Sequence, residues 1–331
     1  MPREQITMRP VHMIACACIA MMQPSLSSSA HTQTPSASGY PTRPIRIVTA
    51  EAGGGGDFAA RLIAQGLSTA LNQQVIVDNR GITAIEIVAK AQPDGHTLLL
   101  NSGRLWIGPL LKNNIPYDVL RDFTPVTLAV STPNVLVVHP SLAAKSVQEL
   151  IALAKTRPGQ LNYSTGTTGA TSHLAAELFK AMAGANIVRI TYKGNGPALS
   201  ALLAGEVHMM FPTASGYSPH ANSGKLRALA VTGSVTSALA PGLPTVSAAG
   251  LPGYESISII GIFMPAKATS AIVSRLNEEI VRFVRLPESR ERLLNAGLEP
   301  VGSTPQQLLV AVKSETTKLG KIIRDAGITG E

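Results

Sequence analysis

Cysteine is almost absent from this 331-residue chain: only Cys16 and Cys18 occur, both inside the apolar run MIACACIAMM. If that run leaves with a leader, disulfides, thiolate metal sites and cysteine nucleophiles are all excluded. Histidine offers no replacement, since no H-x-x-x-H spacing occurs, so no metal site is expected. Aromatic residues make up 4% of the chain and charged residues 15%, with a net charge of +8. The basic side chains are scattered singly and lack interleaved aromatics, which argues against nucleic acid. A solvated basic surface of this kind attracts small anions. There is no G-x-S-x-G nucleophile elbow and no G-x-x-x-x-G-K-[ST] phosphate loop. A secreted hydrolase would therefore need a non-standard serine site.

Apolar runs of membrane-spanning length are missing as well. MIACACIAMM is short, follows Arg3, Arg9 and His12, and precedes QPSLSSSA. That order of charged, apolar and small residues reads as a secretory signal peptide over residues 1–30, cleaved after Ala30, with Ala20 as an alternative. IACACIA lacks the leucine-containing box of a lipoprotein, so a soluble exported protein is expected.

The remainder is long enough for two lobes. Strand-like and helix-like runs alternate almost throughout, which predicts an α/β fold of parallel sheets with crossover helices. PIRIVTA, QQVIVDNR and HTLLLNS read as strands of a first series, and NVLVVHP, LNYST, NIVRITY, VHMMFPT and LRALAVT as a second. Ser146 with Glu149 and Thr304 with Gln307 have the spacing of capping boxes at two helix starts. The strand pattern returns near LPGYESISIIGIFMP, so the chain crosses between lobes twice. Lobe 1 is expected at 31–128 and 258–331, and lobe 2 at 129–257.

Two glycine-bearing turns lead from strand to helix. The first is TAEAGGGGD, residues 49–57, with Glu51, Ala52, Gly53, Gly54, Gly55, Gly56 and Asp57 as candidate ligand-binding positions. The second is YSTGTTGATS, which offers Thr165, Gly166, Thr167, Thr168, Gly169, Thr171 and Ser172. The first N–H groups of a helix have no internal acceptor and carry partial positive charge, so such turns suit a carboxylate or phosphate. Gly54, Gly56 and Ala59 also fit the dinucleotide pattern G-x-G-x-x-A, with Asp78 ending the next strand. An exported NAD-dependent oxidoreductase is the alternative this raises. Against it, Glu51 and Asp57 would repel a pyrophosphate.

YPTRPIRIVTA, PDGHTLLL, IPYDVLRDFTPV, VLVVHPSL, SVQELIALAK, LNYSTGTTG, SHLAAELF, YKGNGPA, LPTVSAAGLPGYE and EPVGSTP, in this order, resemble the Bug receptors. These are the extracytoplasmic solute receptors of tripartite tricarboxylate transporters, and the resemblance covers essentially the whole chain after the leader. It implies a type II periplasmic binding protein fold, with two α/β lobes joined by a two-crossing hinge. It also implies a periplasmic, non-catalytic, monomeric protein without cofactor. Such a receptor captures a small carboxylated molecule for membrane transporter subunits or a sensor. The family holds the carboxylate with two strand-to-helix loops, which here are Ala52 to Asp57 and Thr165 to Ser172.

The chain departs from that pattern at several places. Its first loop lacks the family's proline and aromatic residue, the stretch after VDNR is shortened, and Pro212, beside Thr213, replaces an acid usual after MF. Pro212 and Thr213 remain candidate ligand positions. Arg104, in NSGRLWIG, could pair bidentately with a second ligand carboxylate.

Overall fold

The computed structural model describes residues 39–328, except 51, 54, 113, 167 and 326. The leader expected at 1–30, together with Glu51, Gly54 and Thr167, lies outside the described residues. In chain order the elements are β1 (Ile45–Thr49), α1 (Gly55–Leu71), β2 (Val75–Asn79), α2 (Ala84–Ala89), β3 (Thr97–Asn101), α3 (Arg104–Leu111), α4 (Val119–Asp122), β4 (Phe123–Pro133) and β5 (Val135–Val138). There follow α5 (Val147–Thr156), β6 (Asn162–Thr165), α6 (Thr171–Ala183), β7 (Val188–Thr191), α7 (Asn195–Leu203), β8 (Met209–Met210), α8 (Ala214–Tyr217) and β9 (Arg227–Val231). The chain ends with β10 (Ile257–Pro265), α9 (Ser270–Arg285), α10 (Pro287–Asn295), β11 (Glu299–Pro300) and α11 (Pro305–Asp325).

The strands form two sheets, ordered β11-β4-β10-β3-β1-β2 and β7-β6-β8-β5-β9. Both are mixed rather than purely parallel. β1 runs parallel to β2 and β3, and β6 parallel to β7 and β8, as crossover helices require. The antiparallel members are the crossing strands and their neighbours. β10 pairs antiparallel with both β3 and β4, and β5 with both β8 and β9. The reversal has a simple cause: a strand that leaves one sheet for the other and a strand that returns must run in opposite directions.

β4 continues through Asn134 into β5, and β10 carries the chain back. Their pairing extends from Ile257↔Pro133 to Pro265↔Phe123, with two register shifts. One shift lies beside Pro125, which has no N–H to give to a ladder. The Asn134 side chain, fully buried at the crossing, donates from Nδ2 to the Phe211 carbonyl, and its backbone N–H donates to Thr232 Oγ1 at 2.8 Å. Ser256 N–H donates to the Thr232 carbonyl at 2.8 Å, so the two crossings are tied to each other as well as to lobe 2.

Period-two alternation divides the first sheet's side chains between two cores. Ile45, Ile47, Leu98 and Leu100 pack with α1 and α9 on one face. Val48 and Leu99 pack with α2, α3 and α11 on the other, in a core that continues into lobe 2 through Tyr163, Phe179 and Met209. The Thr304 capping box forms in full, and the Ser146 one in half, its glutamate reaching one residue further back. Gln307 N–H donates to Thr304 Oγ1 at 3.2 Å while Gln307 Oε1 accepts from Thr304 N–H at 2.9 Å. At the other, Glu149 N–H reaches Ser146 Oγ at 3.1 Å, and the Glu149 carboxylate accepts from Lys145 N–H.

Helices α1 and α9 approach closely at Gly66, where a Cβ would lie 2.2 Å from Phe283 Cδ2. Alanine gains about 1 kcal/mol over glycine in helix propensity. The overpacking here should outweigh that gain, with a net loss of about 1–2 kcal/mol for Gly66→Ala. Urea unfolding measures it, and a stabilised variant would contradict the close packing.

Candidate functional site

A cavity of about 730 Å³ opens between the lobes. Lobe 1 contributes Ile85 and Glu86 of α2 and the face Arg104, Ile107, Gly108 and Leu111 of α3, a stripe at helical spacing. Lobe 2 contributes Thr168, Gly169, Ala170 and Thr171 at the start of α6, with Leu174 one turn on. The returning strand supplies Ile257 and Ile259, and α11 supplies Ala311, Glu315, Lys318 and Leu319. The wall is thus largely apolar, with a few polar groups at its corners, the ordinary character of a small-molecule site.

The lobe 2 corner is built from the loop upward. Ala170, at the N-cap of α6, gives no side-chain cap, and the first intrahelical bond is Leu174 N–H to the Ala170 carbonyl. The N–H groups of Thr171, Ser172 and His173 therefore have no acceptor inside the helix. Gly169, at φ +78°, makes the turn that a side chain would strain. Its N–H donates to His173 Nδ1 at 3.1 Å, which fixes the loop against the helix. Arg189 on β7 donates from Nη2 to Thr168 Oγ1 at 2.9 Å, leaving the Thr168 hydroxyl proton to be donated elsewhere. Arg189 Nε is buried without a partner, and no carboxylate pairs with this guanidinium among the described residues. A cation without a counter-ion lies directly behind the loop.

Thr165 and Ser172 serve a different purpose. Both are fully buried, their hydroxyls 3.0 Å apart, and Ser172 Oγ donates to Asn195 Oδ1 at 3.0 Å. A Cβ on Gly166 would lie 2.8 Å from that same Asn195 oxygen. These residues join β6, α6 and α7 and hold the corner's shape from behind. Thr213 accepts Gly216 N–H at 3.3 Å as the cap of α8, and the Pro212 carbonyl accepts Val135 N–H at 2.9 Å. Neither belongs to the cavity wall.

The first glycine loop also stands outside this wall: Ala52, Gly53, Gly55, Gly56 and Asp57 do not line the cavity. Asp57 is turned inward to its own loop. Its Oδ2 accepts Gly53 N–H at 3.0 Å and Arg61 Nε at 3.1 Å, and its Oδ1 accepts Asn79 Nδ2 at 3.0 Å. Burial raises this carboxyl's pKa, but the Gly53, Arg61 and Asn79 donors outweigh it and the net shift is downward. The structure therefore gathers Arg104, Thr168, Gly169 and Thr171 around one cavity and places the other described candidates beside or behind it.

Sequence reading did not single out Arg189 or Glu315. The one signal for Arg189 was a charge inside the apolar strand NIVRITY. Glu315 meets a partner 209 residues away: its Oε2 accepts the indole N–H of buried Trp106 at 2.9 Å. Nothing in local spacing reveals such a pair.

A family model described as "Tripartite tricarboxylate transporter family receptor" matches residues 59–328. The chain belongs to this family. The resemblance carried by its motifs is therefore the family shown. A UPF0065 protein from the tcbD-tcbE intergenic region of Pseudomonas sp. strain P51 is 37% identical over 290 residues, covering 86% of each chain. Protein BugT of Bordetella pertussis is 36% identical over 299 residues, covering 88% of this chain and 92% of that one. Among solved structures, R. palustris Rpa4515 with adipate is 35% identical at a TM-score of 0.72, covering 88% of this chain and 99% of its own. MatC from Rhodopseudomonas palustris with bound malate is 28% identical at a TM-score of 0.67, covering 86% of this chain and all of its own length. The two lobes and two crossings are the type II periplasmic binding protein fold.

The dinucleotide alternative finds no support beside these findings. Asp78, which would have to hold a ribose, is engaged by Arg80 Nε at 2.8 Å and by Arg46 Nη1 at 3.4 Å.

The His173 ring is buried, and its pKa is lowered to about 4 by desolvation first, then by Arg189 and Lys180. The unfolded chain therefore binds more protons than the native one between about pH 6.5 and 4. Its stabilising contribution is present above that window and is lost as pH falls through it. Urea unfolding at pH 7 and pH 5 should show a smaller loss of stability on acidification for His173→Gln than for the unaltered chain. Equal losses would show that His173 is not held neutral.

Proposed function

We propose that this protein is a periplasmic solute receptor without catalytic activity of its own. It captures a carboxylated organic molecule between its lobes and presents it to membrane transporter subunits or to a sensor. The observation that carries the reading is the lobe 2 corner: an uncapped start of α6, a glycine turn, and the Thr168 hydroxyl backed by Arg189. Helix N–H groups with no acceptor inside α6 and a nearby cation together favour an anion, and planar oxygens match such donors. The solved relatives with adipate and malate support a carboxylate as that anion.

In this reading Thr168 and the α6 start hold one carboxylate, and Gly169 lets backbone approach it. Arg104, exposed at the cavity rim, is free to approach a ligand from lobe 1. The first loop contributes rigidity: Asp57 ties Gly53 to α1 and to the end of β2, so that the lobe 1 edge keeps one shape.

Mass spectrometry of small molecules released by denaturing freshly purified periplasmic protein tests the proposal directly. An organic acid at near-stoichiometric amount is expected, and adding it back should raise the melting temperature. At a hundred times Kd a ligand that binds only the folded state stabilises it by about 2.7 kcal/mol. Thr168→Ala should weaken that binding by about 0.5–1.5 kcal/mol, the worth of one hydrogen bond. A stoichiometric nucleotide, or saturable NAD binding lost in Asp78→Ala, would overturn the reading.

A further inference from the structure

Three acids line the cavity: Glu86, Glu255 and Glu315. Two of them have cations of their own. Lys90 Nζ lies 3.8 Å from Glu86, and Lys318 Nζ lies 3.4 Å from Glu255 while also donating to the Glu255 carbonyl at 3.2 Å. Glu315 has no ion-pair partner among the described residues. Trp106 holds its Oε2, and no described protein donor reaches Oε1.

Glu315 and the α6 start stand at separate parts of the cavity. Arg104 and Lys112 line it as well and are exposed, Lys318 is paired with Glu255, and Glu315 is partly buried. Much of the wall is apolar, with Ile85, Ile107, Leu174, Ile257 and Ile259. Leu111 of α3 packs beside Gly169 at the α6 start, whereas Trp106, five residues earlier on the same helix, bonds Glu315, so about 7.5 Å of α3 separates the two groups.

We propose that Glu315 determines specificity by reading the end of the ligand remote from its carboxylate. The preferred class is an acid with an aliphatic body that ends in an ammonium group, not an α,ω-dicarboxylate. This rests on the receptor reading above. An ammonium would supply the donors that Glu315 Oε1 lacks, in surroundings where a charge-assisted bond is strong. A second carboxylate would instead face Glu315 across a poorly solvated space, and one of the two would have to take up a proton. Burial already pushes the Glu315 carboxyl up to about 7, against the opposing effects of the Trp106 N–H and Lys318 and with a further rise from Glu255. Another anion beside it would push further in the same direction.

Calorimetry with 6-aminohexanoate, adipate and hexanoate at pH 8, on the unaltered protein and on Glu315→Gln, tests the assignment. Glutamine keeps an acceptor for the Trp106 N–H, and emission from Trp106, the chain's single tryptophan, checks that the contact and the fold persist. The amino acid should bind roughly tenfold or more tighter than adipate, and Glu315→Gln should erase that preference. Tighter binding of adipate or hexanoate, a preference that survives Glu315→Gln, or no binding of 6-aminohexanoate would overturn it. The receptor reading fails separately, by absence of any organic acid among the molecules released from the purified protein.

Discussion

The antiparallel pairing of β4 with β10 is the constraint on which the remaining structure depends. It is the only place among the described residues where one strand pair belongs to both crossings, running from Pro133 opposite Ile257 to Phe123 opposite Pro265. It sets the sense of each sheet, and it supplies Leu128, Ile257 and Ile259 to the cavity wall. The two crossings thus leave lobe 1 side by side, from adjacent strands of one sheet. This pairing lies inside the six-stranded sheet, with β11 and β3 on either side, so it is as rigid as lobe 1 itself. Just beyond Pro133 and Ile257, the buried Asn134, Thr232 and Ser256 bonds fasten both crossings to lobe 2.

Electrostatics distinguish the two glycine loops more sharply than their sequences do. Around the first, Asp57 accepts from Gly53, Arg61 and Asn79, so that its charge is matched within lobe 1. Around the second, Arg189 and the α6 start bring positive potential with no carboxylate paired to that guanidinium among the described residues. In the function proposed above, a ligand anion supplies the matching charge. That asymmetry links the packing of β7 to recognition, because the strand's position beside β6 puts Arg189 behind Thr168.

Much of this was legible in the amino-acid sequence, and the reasons are local. Ile45, Ile47, Leu98 and Leu100 alternate with the opposite face, so period two identified their strands, and Ser146 and Thr304 marked helix starts by their own chemistry. The motifs taken in order carried the family. β4 was harder, because Pro125 and Pro133 interrupt the run FTPVTLAVSTP and a central strand normally avoids proline. Its register shifts are how the ladder accommodates the first of them. The mixed sheets were also missed, since strand direction is set by the two crossings and not by composition. The Trp106 to Glu315 bond and the approach of Arg189 to Thr168 depend on tertiary placement alone.

The central claim is that an anion is held where Arg189 backs Thr168 at the start of α6. The most direct measurement is a calorimetric comparison of the acid released by the purified protein with its primary amide, on the unaltered chain and on Arg189→Gln. The account predicts that the acid binds at least tenfold tighter than the amide, since hydrogen bonds to a charged group contribute about 1.5–3 kcal/mol. It also predicts that most of this advantage disappears in Arg189→Gln while the folded circular dichroism spectrum is kept. Equal affinity for acid and amide, or an advantage indifferent to Arg189, would contradict it.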